Sequence, residues 1–162
     1  MIRVLGPGEW ELLRDLRLRA LSDSPEAFAQ PLKHAEALTV PEWQERVSAS
    51  DNRTWLIDEA TGSAAIGMAA AFVHPDESGV VVLGAMFVDP EHRGRGVARR
   101  LVDAVERWAV EKGASTVVLD VNPAMRPARL LYEQCGYTPT GKSSPLPTAP
   151  DGVAVELSKQ LG

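Results

Sequence analysis

Apolar residues recur at helical spacing in some stretches of the chain and crowd into short β-branched runs in others, and that contrast orders the reading. Val97, Leu101, Ala104, Val105 and Trp108 lie on one face at a period near 3.6 over residues 97–112, and Gly113 ends the run, which predicts a helix. An apolar strand at 2–5 is broken by Gly6-Pro7-Gly8, after which Trp10, Leu12, Leu13, Leu16 and Ala20 predict a helix up to Leu21. Thr39-Val40-Pro41-Glu42 reads as a helix start, with a hydroxyl for an orphan N–H, a proline that needs no donor, and a glutamate closing a capping box. Trp43 and Val47 give that helix its apolar side.

Runs at 54–57, 64–73 and 79–88 are strand-like and separated by turn residues, Ala60-Thr61-Gly62-Ser63 and Pro75-Asp76-Glu77-Ser78, which predicts an antiparallel meander. The alanine-rich part of the second run is helical on propensity alone, but Gly67 and its strand-forming neighbours tip it to strand. A β-branched run at 116–121, a short helix at 128–134 ended by Gly136, and a last strand at 153–157 complete the order. Gly141 to Gly152, with Pro145, Pro147 and Pro150, reads as loop. A meander followed by strand and helix units implies a layered α/β (α+β) fold, a mixed sheet with helices on its faces.

Composition narrows the function classes. The 162 residues carry 17 Lys and Arg against 22 Asp and Glu, a net charge of −5, which argues against a general nucleic-acid or anionic-membrane binder. At this length one domain, 1–162, is expected, with no interior boundary. The single cysteine, Cys135, forms no internal disulfide, and with three histidines it gives no metal-ligand spacing, so no metal and a reducing cytoplasm are expected. Residues 1–9 lack a signal-peptide pattern, and no run approaches eighteen apolar residues. Trp10, Trp43, Trp55 and Trp108 are expected to pack in the core, as is Cys135.

The chemistry concentrates after Val88. Asp89-Pro90-Glu91-His92-Arg93-Gly94-Arg95-Gly96-Val97-Ala98 is a glycine-rich turn feeding the 97–112 helix. Such a turn exposes successive N–H groups and the positive end of the helix dipole, which makes an anion site. Arg93, Arg95, Arg99 and Arg100 add positive charge, and diphosphate recognition is the expectation. Two other phosphate motifs compete. Gly136-Tyr137-Thr138-Pro139-Thr140-Gly141-Lys142-Ser143 satisfies P-loop spacing but lacks the preceding strand and following helix, and reads as a surface hairpin. Gly94-Arg95-Gly96 as a dinucleotide fingerprint puts Arg99 where a small residue must let helix and strand pack.

Arg93-x-x-Gly96-x-Ala98, preceded by Met86-Phe87-Val88-Asp89-Pro90 and followed by Leu130-Leu131-Tyr132-Glu133-x-x-Gly136-Tyr137, resembles the GCN5-related N-acetyltransferases (GNAT) of bacterial type. The resemblance covers the whole chain, most firmly 79–140. It implies a mostly antiparallel sheet of six to seven strands with helices on both faces. It also implies acetyl-CoA as cosubstrate, its pyrophosphate held by the amides of Arg93, Gly94, Arg95, Gly96, Val97 and Ala98, with Arg99 beside them. Phe87 and Val88 would hydrogen-bond the pantetheine arm like an added strand and polarise the thioester carbonyl. Tyr132 matches the tyrosine that protonates the departing thiolate in many relatives.

The chain departs from the family pattern in two places. Met125 stands where relatives commonly carry asparagine, and Asn122 is the nearby substitute for its contact with the cofactor. Gly84, Ala85 and Met86 offer none of the carboxylate that relatives use to relay the amine proton. The remaining candidates for the base are a water relay or Asp120, in the apolar run Val117-Val118-Leu119-Asp120-Val121, with Asp120 otherwise a strand-end residue serving the next turn. The resulting expectation is acetyl transfer from acetyl-CoA to a primary amine of a small molecule or peptide by direct attack. A coenzyme A binding or sensing module without catalysis is the alternative. Neither nucleic acid nor membrane is expected as partner, and a homodimer stays open.

Overall fold

The structure, a computed structural model, describes residues 1–48, 50–60 and 64–162, so the Thr61-Gly62-Ser63 part of the first expected turn lies outside the described residues. The chain runs β1 (Ile2–Val4), α1 (Trp10–Asp23), α2 (Leu32–Glu36), α3 (Val40–Val47), β2 (Arg53–Glu59), β3 (Ala65–Val73) and β4 (Val80–Val88). Then follow α4 (Val97–Glu111), β5 (Thr116–Val121), α5 (Arg126–Gln134), β6 (Thr138–Pro145) and β7 (Val153–Gln160). Among the described residues seven strands form one sheet in the order β1-β2-β3-β4-β5-β7-β6, antiparallel except for β4 beside β5.

Period-two alternation assigns the two faces. Trp55 and Ile57 of β2 and Met68 and Ala70 of β3 face α1, α2 and α3, packing on Leu13, Leu16, Ala20, Ala35 and Trp43. Leu56, Ala69 and Ala71 face the other way, against Val97, Leu101, Val105 and Ala109 of α4 and Tyr132 of α5. The mixed sheet with helices on both faces is therefore as expected, and each central strand is apolar on both sides because each side is covered. Trp43 and Trp55 are buried and Trp10 and Trp108 pack partly buried against the two cores. Thr39 caps α3, its Oγ1 accepting the Glu42 N–H at 3.3 Å.

One expectation changes. The supposed loop from Gly141 begins inside β6, an edge strand pairing antiparallel with β7 from Thr138↔Ser158 to Pro145↔Val153. Its side chains are mostly exposed, so no alternation of polar and apolar residues marked it as a strand. The P-loop look-alike falls on the turn after α5 and on β6, and is part of the β6–β7 hairpin, as expected.

Two irregularities in the centre of the sheet make the site. β4 and β5 pair only over Val80–Val82 and Thr116–Val118, after which they diverge. In β4, Ala70 of β3 pairs with Gly84 but Met68 pairs with Phe87, so β4 carries an extra residue, and Ala85 there has φ +53°. This bulge reverses the strand's faces. Val81 and Leu83 point toward α4, whereas Ala85 and Phe87 point toward α1.

Candidate active site

Where β4 and β5 part, a cleft of about 660 Å³ opens between them, of ordinary size for a ligand site. One end is the glycine turn. Gly94 and Gly96 have φ +75° and +79°, a left-handed backbone that a side chain would strain, and this lets the chain turn from β4 directly into α4. Gly96 is the N-cap of α4 and supplies no side-chain acceptor. Among the described residues the amides of 94–99 donate to no protein acceptor, while residues 93–96 are exposed. Consecutive unpartnered donors at the positive end of a helix dipole suit an oxyanion-rich group such as a diphosphate.

The four arginines divide. Arg100 donates through Nε at 3.1 Å and a terminal nitrogen at 2.8 Å to Asp58, and through its other nitrogen to Arg95 O at 3.2 Å. Asp58 is buried in β2, and burial alone would raise its pKa. The hydrogen bonds from the Met1 amino group and Arg100 outweigh that and hold it low. Arg100 is thus a strut that fixes the turn to β2. Arg93 is also committed, pairing with Asp23 at the end of α1 and donating from Nε to Val88 O at 3.0 Å. Arg95 and Arg99 make no ion pair among the described residues. Arg99 lines the cleft, and Arg95 does not.

The strand expected to meet the thioester arm is β4. Asp89 N donates to Ile66 O at 2.8 Å, so alternation turns the main-chain groups of Val88 to the open side and those of Phe87 toward β3. Of the two residues expected to meet the pantetheine, Val88 has the facing amide. Phe87 instead buries its ring against the α1 side.

Tyr132, on α5, is buried, stands edge-on to Tyr137 at 6.1 Å between ring centroids, and lines the cleft. Burial, with the nearby Cys135 thiol, pushes its phenol well above the ordinary value, so it keeps its proton. Asp120 lines the cleft from β5 and is exposed, so the cost of a buried carboxylate that its apolar neighbours implied does not arise. That argument applies instead to Asp58. The Asp120 pKa is nonetheless raised, first by partial desolvation and then by Glu156, its cross-strand partner on β7, while Ser144 opposes this at 3.4 Å.

Asn122 is buried and its amide has protein partners. Nδ2 donates to Glu26 O at 3.0 Å, and Oδ1 accepts the Ala124 N–H at 3.0 Å. Met125 lines the cleft at the start of α5. Sequence reasoning missed the opposite wall, Ser24, Glu26, Ala27 and Phe28, which has no periodicity to betray it. Cys135 is buried and free, and its thiol is pushed up by burial. Among the described residues no group of His, Cys, Asp and Glu could hold a metal ion, and no helix is long and apolar enough to cross a membrane.

A parallel strand pair thus splays beside an uncapped, glycine-led helix N-terminus, which leaves a cleft with an anion site at one end. The sequence matches the Acetyltransferase (GNAT) family over residues 10–137, and the chain belongs to that family. It is 33% identical over 102 residues to an aminoglycoside N(6')-acetyltransferase type 1 of Salmonella typhimurium, covering 59% of this chain and 70% of that one. In three dimensions it is similar to a GNAT-family acetyltransferase from Streptococcus pneumoniae, with TM-score 0.80 and 18% identity over 100% of this chain and 99% of that one. It is also similar to yncA from Salmonella typhimurium, solved with its cofactor acetyl-CoA, with TM-score 0.74 and 18% identity over 100% and 94%. The protein is an acetyl-CoA-dependent N-acetyltransferase.

Proposed function

We propose that residues 1–162 act as one unit that moves acetyl from acetyl-CoA to a primary amine of a small molecule or peptide by direct attack. The observation that carries this reading is the run of unpartnered amides at 94–99, opening onto the gap between β4 and β5. The diphosphate sits on the amides of Gly94, Gly96, Val97 and Ala98 with Arg99 as countercharge. The pantetheine arm runs along β4, bonded by the main chain of Val88.

The amine enters at the other end, between Glu26 and Asp120, whose carboxylates attract an ammonium group. An alkylammonium with a pKa near 10.4 must lose a proton before it attacks, and Asp120 takes it. The nitrogen lone pair then adds to the thioester carbon, and the Val88 N–H stabilises the oxyanion. The C–S bond breaks, the amide forms, and Tyr132 gives its proton to the leaving thiolate, to be restored from the amine's proton through solvent. No paired base stands by Cys135, so an acyl-enzyme is not required.

The test joins calorimetry of coenzyme A with a thiol-release screen of acetyl-CoA against spermidine, kanamycin and L-lysine. Gly96→Glu places bulk and negative charge at the phosphate turn and should abolish coenzyme A binding in a folded protein. Unchanged affinity refutes the site. Binding without turnover of any amine favours a coenzyme A sensing module.

A further inference from the structure

The wall that closes the amine end of the cleft has little structure of its own. Between Asp23, the last residue of α1, and Leu32, the first of α2, the chain makes one 3-10 turn, Pro25–Ala27. A segment of this kind takes its position from what holds it, and here the holders come from elsewhere in the chain. Asn122, 3% exposed at the end of β5, donates from Nδ2 to the Glu26 carbonyl across 96 residues of sequence. Thr148, in the connection between β6 and β7, donates from Oγ1 to the Phe28 carbonyl at 2.8 Å. The two acceptors are two residues apart on the wall, and the two donors sit on different loops. Behind the wall, the buried Arg17 guanidinium lies 5.3 Å from the Phe28 ring centroid and donates to Gln30 Oε1 at 2.6 Å, with no carboxylate partner among the described residues.

We infer that Asn122 and Thr148 are positioning residues for the amine acceptor. They pin the 24–28 wall to the end of β5 and to the β6–β7 connection, and so set the width of the cleft opposite Asp120. The inference rests on the amine reading of this end of the cleft. It assigns Asn122 to the acceptor side, whereas its neighbourhood in sequence had pointed to the cofactor. Both side-chain polar atoms of Asn122 are bonded within the protein, and the carbonyls that Asn122 Nδ2 and Thr148 Oγ1 serve belong to the wall. Freed of either pin, the wall has more conformations, of which few fit the amine, so apparent affinity for the amine falls by the fraction that remains competent. The phosphate turn and β4 share neither bond, and cofactor affinity stays.

The experiment uses Thr148→Val, which keeps shape and loses the donor, Thr148→Ser, which restores the donor, and Asn122→Ala. Each is measured three ways: coenzyme A affinity by calorimetry, amide hydrogen exchange over residues 24–30, and KM and kcat for whichever of spermidine, kanamycin and L-lysine the parent acetylates. Thr148→Val and Asn122→Ala should raise the amine KM about three- to tenfold and speed exchange over 24–30. Both should leave kcat and coenzyme A affinity within about twofold, and Thr148→Ser should return to parental values. A general structural defect would move all the constants together and overturn the inference. Weaker coenzyme A binding by Asn122→Ala with unchanged amine KM would return that residue to the cofactor. Should Asn122→Ala not fold, Thr148→Val decides alone. If the parent acetylates none of the amines, the amine reading fails, and the exchange data judge the pins: faster exchange supports them and parental exchange overturns them.

Discussion

Replacing Gly67 with alanine should loosen the phosphate turn from behind, through the face of β3 that packs on α4. Gly67 lies in β3 under the start of α4, and a Cβ there would stand 2.9 Å from Val97 Cγ1, 3.0 Å from Phe87 O and 3.2 Å from Leu101 Cδ1. The leucine methyl can move, but the Phe87 carbonyl belongs to the adjoining strand, and Val97 is the first residue of α4 and fully packed. Overpacking of this kind costs about 1–3 kcal/mol, and the entropy that alanine removes from the unfolded chain returns about 0.4–1 kcal/mol, so contact wins. The net loss between the midpoints of those ranges, about 1.3 kcal/mol, lowers Tm by about 3–5 °C in a domain of this size. Because the Val97 amide is one of the unpartnered donors, the same displacement should weaken coenzyme A about three- to tenfold, or about 0.7–1.4 kcal/mol. Differential scanning calorimetry and titration calorimetry read the two effects. Gly8→Ala, with nothing within 4 Å of its Cβ, is the control and should change stability by less than about 0.5 kcal/mol. Adding Val97→Ala to Gly67→Ala removes the closest contact, so the double variant should lose less than the sum of the singles, with a coupling above about 0.5 kcal/mol. Parental Tm and affinity in Gly67→Ala, or strict additivity in the cycle, would refute the reasoning.

Tyr132→Phe should lower kcat on the order of ten- to a thousandfold while coenzyme A affinity stays within about twofold, since only the transition state loses a proton donor. Equal kcat would make Tyr132 a packing residue. Asp120→Asn should cut turnover at neutral pH, with the defect shrinking as pH approaches the amine's own value of about 10.4. Because burial raises the pKa of the Asp120 carboxyl, its ionised form costs stability above about pH 4, so Asp120→Asn should also raise Tm at neutral pH. A pH–rate profile overlying the parent's would sink its role as base. The protein has two tyrosines, Tyr132 and Tyr137, and burial pushes both phenols up. Their neutral forms stabilise the fold fully below about pH 10, the unfolded value, and that contribution is lost as pH rises further. Phenolate absorbance should therefore appear only with unfolding, and titration of a folded protein near pH 10 would contradict the burial.

What the sequence by itself determined is what repeats over a few residues. The stripe of Val97, Leu101, Ala104 and Val105 is the buried face of α4, Thr39 is a cap, and the 116–121 run is β5. The glycine turn was legible too, because two left-handed residues before an apolar helix leave a local mark. Tertiary structure alone decided the rest. Strand β6 shows no alternation of polar and apolar residues, since its side chains are mostly exposed, and only its pairing with β7 makes it a strand. Ala85 is an ordinary residue in an apolar run, yet the bulge there exchanges the faces of β4 and turns Val88 to the cleft. Two aspartates stand in apolar strands, and burial separates them: Asp58 is enclosed with Arg100, whereas Asp120 reaches solvent at the cleft. The wall at 24–28 was invisible because its position depends on Asn122 and Thr148, about a hundred residues away in the chain. Periodicity reports how a segment meets its own neighbours. Register, burial of charge and long-range hydrogen bonds depend on which segments the folded sheet brings together.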